Sequence, residues 1–354
     1  MHAHASSGES SERQFVFHGE QSKFSLTTNA RCASITHLLM KLACTASIFL
    51  LLVFTHGLAY GANKISLKKE NGSVVVNVND KLFTRYVYKD PQRAKPIFYP
   101  VVGPLGQPLT RKYPMEEAAH GEAKDHPHHT SLWYTHGEVN GVDFWAVGKG
   151  KGKIVHQDFL SMEESSFTAL NLWQNAEGKT LLQDQRKLSF HAPNEQDRAI
   201  DVAITLKAAV DDVTFGDTKE GSMGIRMAPQ LRLKGQVAKG SALNSEGIVG
   251  KAVWGKRSSW ISYWAPLGEK EVGISIFDHP SNPRHPTWWH ARDYGLVAAN
   301  PFGLRHFEGK PKGAGNLVLK KGEEVTFRYR FLFHLGNPKD AEISSRYLDW
   351  SKAG

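Results

Sequence analysis

Four histidines, His126, His128, His129 and His136, fall within eleven residues of the stretch DHPHHTSLWYTHGEVNGVDFW, which runs from Asp125 to Trp145. Imidazole titrates near neutrality, gives or takes a proton at either nitrogen, and ligates metals. Trp133 and Trp145 offer flat apolar faces of the kind that stack on sugar rings. A second cluster lies downstream from Asp278 to Gly303, DHPSNPRHPTWWHARDYGLVAANPFG, with the same DHP opening and the same mixture of His, Trp, Arg and Asp. The central expectation is that the two clusters meet and line one pocket.

Each group has a chemical and a structural reading. His126 and His128 alternate along an extended chain and so share a face. With His129 or His136 they would suit a divalent metal, or they would act without metal as acid–base groups; as structural histidines they would bond to backbone. No H-E-x-x-H or cysteine-based spacing is present, so no cofactor is required, and a divalent metal on His126, His128 and His129 stays an alternative. Asn140-Gly141 is a hairpin signal, and Asp143 is read as a carboxylate that orients a neighbouring histidine. In GDTKEGSMGIRMAP at 216–229, Glu220 and Arg226 are either site residues or a plain ion pair. In the second cluster Arg284, His285, His290, Arg292 and Tyr294 alternate with Trp288 and Trp289, a mixture suited to polar and anionic groups on a ring ligand. No G-x-S-x-G, G-x-G-x-x-G or P-loop pattern occurs, which argues against serine hydrolase, dinucleotide and nucleoside triphosphate chemistry.

The elements that must hold these residues are strands. Segments 73–79 and 81–88 alternate apolar and polar residues around an Asn79-Asp80 turn, and similar patterns occur at 152–160, 166–175, 186–192, 199–209, 258–266, 271–278 and 323–335. Shorter candidates are 223–229, 251–256, 296–302 and 316–320. The segment 95–104 also reads as a strand, whose prolines would fit an edge or a loop mouth. Only AEISSRYLDWSKAG at the end suggests a helix. Many short strands between Gly, Pro, Asn and Asp turns predict an all-β sandwich or barrel. With no repeat or linker, residues 62–354 are expected to be one domain.

The chain has 354 residues, 40% of them hydrophobic and 22% charged, and a net charge of +9. Its lysines and arginines are dispersed among acids and form no basic module, so nucleic acid is not an expected partner. Residues 42–58, LACTASIFLLLVFTHGL, follow Met40-Lys41 and precede small residues, the layout of a secretory signal, with cleavage expected after Gly61. The block is short for a membrane span, so no stable insertion is expected after cleavage. Residues 1–39 fit no such signal and are read as a disordered extension or as sequence upstream of a start at Met40. Both cysteines, Cys32 and Cys44, precede the cut, so the mature chain would have no disulfide.

The two His/Trp clusters, GDTKEGSMGIR and the terminal KKGEEVTFRYRFLFHLG together resemble the PmoA-like secreted bacterial family, over nearly all of the chain after residue 65. The ending and the mid-chain His-rich loop are also similar, more distantly, to galactose mutarotase-like proteins, although the N-H-x-Y-F-N motif of mutarotases is absent. That second resemblance implies a large twisted β-sandwich of the supersandwich kind, a carbohydrate ligand and histidine acid–base chemistry. The resulting expectation is a secreted or periplasmic protein that acts on a glycoside or oligosaccharide as a hydrolase, lyase or epimerase. His126, His128, His136, Glu220 and Asp278 would be its catalytic groups. Trp133, Arg226, Arg284, His285, Trp289, His290, Arg292 and Tyr294 would bind substrate. The alternatives are a non-catalytic glycan-binding module and a histidine-ligated metal enzyme.

Overall fold

A computed structural model describes residues 63–352. The signal segment, the Met40 start and both cysteines lie outside the described residues. The described residues form two eight-stranded antiparallel sheets and a small two-stranded one, the all-β sandwich expected from the alternating patterns. The first sheet runs in the order β1 (Ile65–Glu70), β2 (Ser73–Val78), β3 (Lys81–Val87), β4 (Ile97–Val101), β5 (Leu132–Tyr134), β11 (Met223–Arg226), β16 (Leu296–Asn300), β15 (Trp288–Ala291). The second runs β12 (Ser241–Asn244), β13 (Trp260–Leu267), β14 (Lys270–Asp278), β18 (Glu324–Leu335), β9 (Asp197–Lys207), β8 (Thr180–His191), β7 (Ser166–Gln174), β6 (Lys153–Met162). β10 (Val213–Phe215) pairs with β17 (Leu317–Leu319).

Period-two alternation puts one face of each sheet into a shared core. Aromatic rings interlock across it: Tyr86 lies 5.3 Å from Phe167, Phe83 6.4 Å from Phe190, and Tyr134 6.2 Å from Trp173. One buried charge pair sits in this core. Asp184 accepts from Arg186 through both oxygens, at 3.0 and 2.8 Å, and also from Asn171 and Trp173. The carboxylate therefore has a donor for every direction it faces, which is the condition for burying it.

Turn chemistry follows the sequence where it was specific. Asn79 and Asp80 take φ of 48° and 60°, and Asn140 and Gly141 take 47° and 80°, the left-handed pair of a tight hairpin turn. The closing helix forms as α2 (Ile343–Lys352), after a short α1 (Leu304–Glu308). Ile343 and Tyr347 of α2 pack on Phe277 and Leu332, which covers part of the outer face of the second sheet.

Three expectations are corrected. Segment 251–256 is no strand; Gly250–Val253 makes a single 3-10 turn, because its few apolar residues do not alternate over a strand's length. β4 is interior, between β3 and β5, and not an edge; its register with β3 shifts between Thr84 and Tyr86, so the ladder is irregular where Pro100 lacks an N–H. Segment 223–229 is a strand only to Arg226, and Pro229 then opens a 3-10 turn. Among the described residues no helix is long and apolar enough to cross a membrane.

Candidate functional site

The outer face of the first sheet, turned away from the second, carries the chemistry. Leu132, Tyr134, Met223, Ile225, Trp289, Ala291, Val297 and Ala299 point into the shared core. Their alternates point outward, and the register sets them in a row: Ile97 opposite Trp133, Trp133 opposite Gly224, Gly224 opposite Ala298, Ala298 opposite His290. Ile97, Trp133, Leu296 and Ala298 join Trp145 in a small second cluster. Gly224 is small for a reason: a Cβ there would stand 2.9 Å from Cζ2 and 3.0 Å from Cε2 of Trp133, whose indole lies across it.

Three rings stack outward from that indole. His129 lies 5.6 Å from Trp133 at 16°, His126 lies 4.7 Å from His129 at 5°, and Tyr294 lies 5.4 Å from His126 at 11°. His128 meets His126 and His129 edge-on. One carboxylate fastens the stack. Asp125 accepts from Arg111 at 2.6 Å and Arg226 at 2.9 Å through Oδ1, and its Oδ2 lies 2.9 Å from His126 Nδ1. Burial alone would raise the Asp125 carboxyl, but Arg226, His126 and Arg111 outweigh it and hold the group at about 2. Arg111 also donates to the carbonyls of Ala123, Asp125 and His126, so a buried guanidinium anchors the loop that delivers the histidines.

Tautomers follow from these partners. Arg226 Nη1 is 3.0 Å from His129 Nδ1, and a guanidinium can only donate, so Nδ1 accepts and Nε2 carries the ring proton. That Nε2 is buried and has no partner. Burial, with His128 and Arg226 beside it, pushes the His129 imidazole far down, so it is neutral. Burial and then Lys95 push His128 down to about 4. Burial, followed by Arg292 and Lys219, pushes His290 down to about 3. Trp254 Nε1 donates to His290 Nδ1 at 3.3 Å, which leaves its Nε2 facing Glu220 at 3.8 Å. With His290 uncharged, that contact is a long N–H to carboxylate approach and not an ion pair.

A cleft of about 950 Å³ opens above this floor. His126, His128, His129, Glu220, His290, Arg292 and Tyr294 line it, together with Trp145. Trp133 and Arg226 lie beneath them, the first under His129 and the second over Tyr294 at 4.5 Å. The two clusters thus meet, but through the end of the second one and not through its DHP opening.

The other expected residues sit elsewhere. His136 is in the core against Phe302, and its Nε2–H donates to the Gly216 carbonyl. Trp289 is in the core and donates to the Ser258 carbonyl. Asp278, at the end of β14 in the second sheet, accepts from His285 at 2.7 Å, from Asn282 and from the Thr287 amide, while His285 Nε2 faces Tyr347 of α2 at 3.5 Å. Arg284 donates to the carbonyls of Pro301, Gly315 and Asn316 and so ties three loops together. Asp143 orients no histidine; it caps the amides of Trp145 and Ala146 and pairs with Lys151.

His126, His128 and His129 do not converge on a point, because two of the rings are parallel and the third is perpendicular to them. Among the described residues no group of three or more His, Cys, Asp or Glu side chains is placed to hold a metal. Sequence reading passed over Glu138, Trp254, Lys219, Arg305, His306 and Lys312, which also line the cleft. It also passed over Lys95, whose Nζ donates to the His128 and Trp145 carbonyls and which burial pushes down to about 7. The only signal for Arg305 and His306 was their place directly after the second cluster.

Among solved structures the chain is similar to a polysaccharide lyase at 11% identity, covering 79% of this chain and 34% of that one with a TM-score of 0.31. It is similar to a mutant of the heparan sulfate lyase HepC from Pedobacter heparinus at 10% identity, covering 84% and 42% with a TM-score of 0.32. A GalM/aldose epimerase homologue from C. elegans follows at 8% identity, covering 78% and 99% with a TM-score of 0.30. The chain thus spans well under half the length of the two lyases. No curated protein matches it. A family of unknown function (DUF6807) matches residues 73–347, most of the sequence, and the chain belongs to that family.

Proposed function

We propose that the protein processes a carbohydrate in this cleft by proton transfer at histidine, as a lyase or epimerase. One observation carries the reading: His128 lines the cleft, and burial with Lys95 beside it pushes its imidazole down to about 4, so the ring is neutral at neutral pH. A neutral imidazole can take a proton from substrate without first losing one. A hydrolase would need a pair of free carboxylates, and three of the four in the cleft are engaged: Asp143 with Lys151, Asp217 with the amides of Arg305 and Gly315, and Glu220 with Lys219. The exposed His126 and the half-buried Tyr294 supply ring surface for contact with a sugar, with Trp145 beside them in the lining. Export belongs to the same reading, supported by the apolar block at 42–58 and by the resemblance to the PmoA-like secreted family.

The test is a turnover screen on poly- and oligosaccharides, with His128→Ala and Trp145→Ala beside the wild type. The reading expects His128→Ala to lower kcat by about 10²–10⁴ with ligand affinity little changed, and Trp145→Ala to weaken binding. Tight sugar binding by a wild type that turns over nothing would make the protein a binding module and end the catalytic reading.

A further inference from the structure

Four cations and four carboxylates line the cleft, but only Lys219 and Glu220 pair with each other. Among the described residues, Arg292, Arg305 and Lys312 line it with no carboxylate within ion-pair distance. The acids nearby are largely spent, since Asp143 holds Lys151, Asp217 holds two backbone amides, and Glu220 lies 3.5 Å from Lys219. None of these acids, nor Glu138, lies within ion-pair distance of Arg292, Arg305 or Lys312. Below the floor Lys95, 5% exposed, has only carbonyl oxygens as hydrogen-bond partners.

A second observation is independent of the rim. Two side chains that line the cleft carry buried N–H groups with no acceptor, His129 at Nε2 and Trp145 at Nε1. Their side chains are 1% and 4% exposed, and a buried donor left without an acceptor is destabilising. Such a site holds unpaired cations and unanswered N–H donors, and a ligand that brings negatively charged oxygens would complete it.

We propose that the cleft takes an acidic saccharide, whose carboxylate or sulfate oxygens answer Arg292, Arg305 and Lys312 above the donors of His129 and Trp145. This deepens the carbohydrate reading and rests on it. Neutral sugars offer hydroxyls that both donate and accept, so they would leave the cations uncompensated. A guanidinium holds a carboxylate or sulfate through two parallel N–H bonds, and Arg292 and Arg305 can each do so. A bound anion would also oppose the cations that help to depress His128, and bring it nearer to neutral titration, where a general base works best.

The experiment measures binding by calorimetry with the full chain. The ligands are a uronate oligosaccharide, the same oligosaccharide with its carboxyl groups reduced to alcohols, and a sulfated neutral oligosaccharide. The uronate or the sulfated chain should bind at least about tenfold tighter than the reduced one, with affinity falling as salt rises from about 0.05 to about 0.5 M. Whichever of the two binds identifies the anionic group. Arg292→Gln and Lys312→Gln, both on residues with no ion-pair partner, should each weaken binding about fivefold or more. Equal affinity for the reduced chain, insensitivity to salt, or no response to either substitution overturns the proposal. The two readings fail separately: acidic-sugar binding without turnover removes catalysis and keeps the ligand class, while turnover of neutral sugars alone does the reverse.

Discussion

Asp125→Asn tests whether one carboxylate holds the site together. The side chain accepts from two guanidiniums that are almost wholly buried, Arg111 at 2% and Arg226 at 1% exposure. Taking one partner from a buried ion pair costs about 3–5 kcal/mol. Asp125 is itself 36% exposed, so solvent screens part of this, and about 2 kcal/mol is the expected loss. Arg111 keeps three carbonyl acceptors, whereas Arg226 loses its only carboxylate, so the damage should centre on Arg226 and on His129, which it orients. At about 2 °C per kcal/mol for a domain of this size, the melting temperature should fall by about 4 °C at neutral pH. The acid limb gives a second readout. The Asp125 carboxyl is depressed from 3.8 to about 2 in the folded chain, so its stabilisation is fully present above 3.8 and is lost as pH falls towards 2. Melts followed by circular dichroism should therefore show a shallower acid slope for the Asn variant over that window. An unchanged melting temperature together with an unchanged acid slope would refute the anchoring role.

Two further outcomes follow from the same geometry. His290 is depressed from 6.5 to about 3, so the unfolded chain takes up the proton first; its contribution is complete above 6.5 and drains as pH falls towards 3. His290→Gln should flatten the stability profile within that window, as read by chemical denaturation at a series of pH values. Gly224→Ala would press a methyl group onto the Trp133 indole, and overpacking of this kind costs about 1–3 kcal/mol. The melt should show that loss together with altered tryptophan fluorescence, while Gly178→Ala, where an added Cβ meets nothing, should lower the melting temperature without the fluorescence change.

The long strands were legible in the sequence because one face of each meets the core and the other meets solvent or a partly covered surface. β7, β9 and β18 alternate accordingly over nine to twelve residues. β5 and β15 were hard to place for the opposite reason. They have three and four residues, all buried, so neither length nor alternation marks them. The same strands decide which site residues reach the cleft. In TWWHARDY at 287–294, aromatic and titratable residues occupy both parities, and only the register of β15 on β16 sends His290 outward and Trp289 into the core. His136 shares the inward parity of Leu132 and Tyr134, which composition could not reveal. The residue types of the site were therefore readable, and the choice between neighbours was not.

The loop between β4 and β5 shows why stability and site are hard to separate in this protein. It carries Arg111 and Asp125 together with His126, His128 and His129. Arg111 is buried among the carbonyls of the residues that lead into those histidines. A hydrophobic residue in its place could fill space but could not bond three carbonyls and a carboxylate, and those acceptors would be left unanswered. The second guanidinium, Arg226, comes from the middle of the sheet and meets the same carboxylate, so the loop is tied to a rigid strand by charge and not by apolar packing alone. Buried ion pairs of this kind add little net stability but are costly to break. A rearranged loop would expose both guanidiniums to that cost. The histidine stack is thus held over the Trp133 floor by the penalty of separating Asp125 from Arg111 and Arg226.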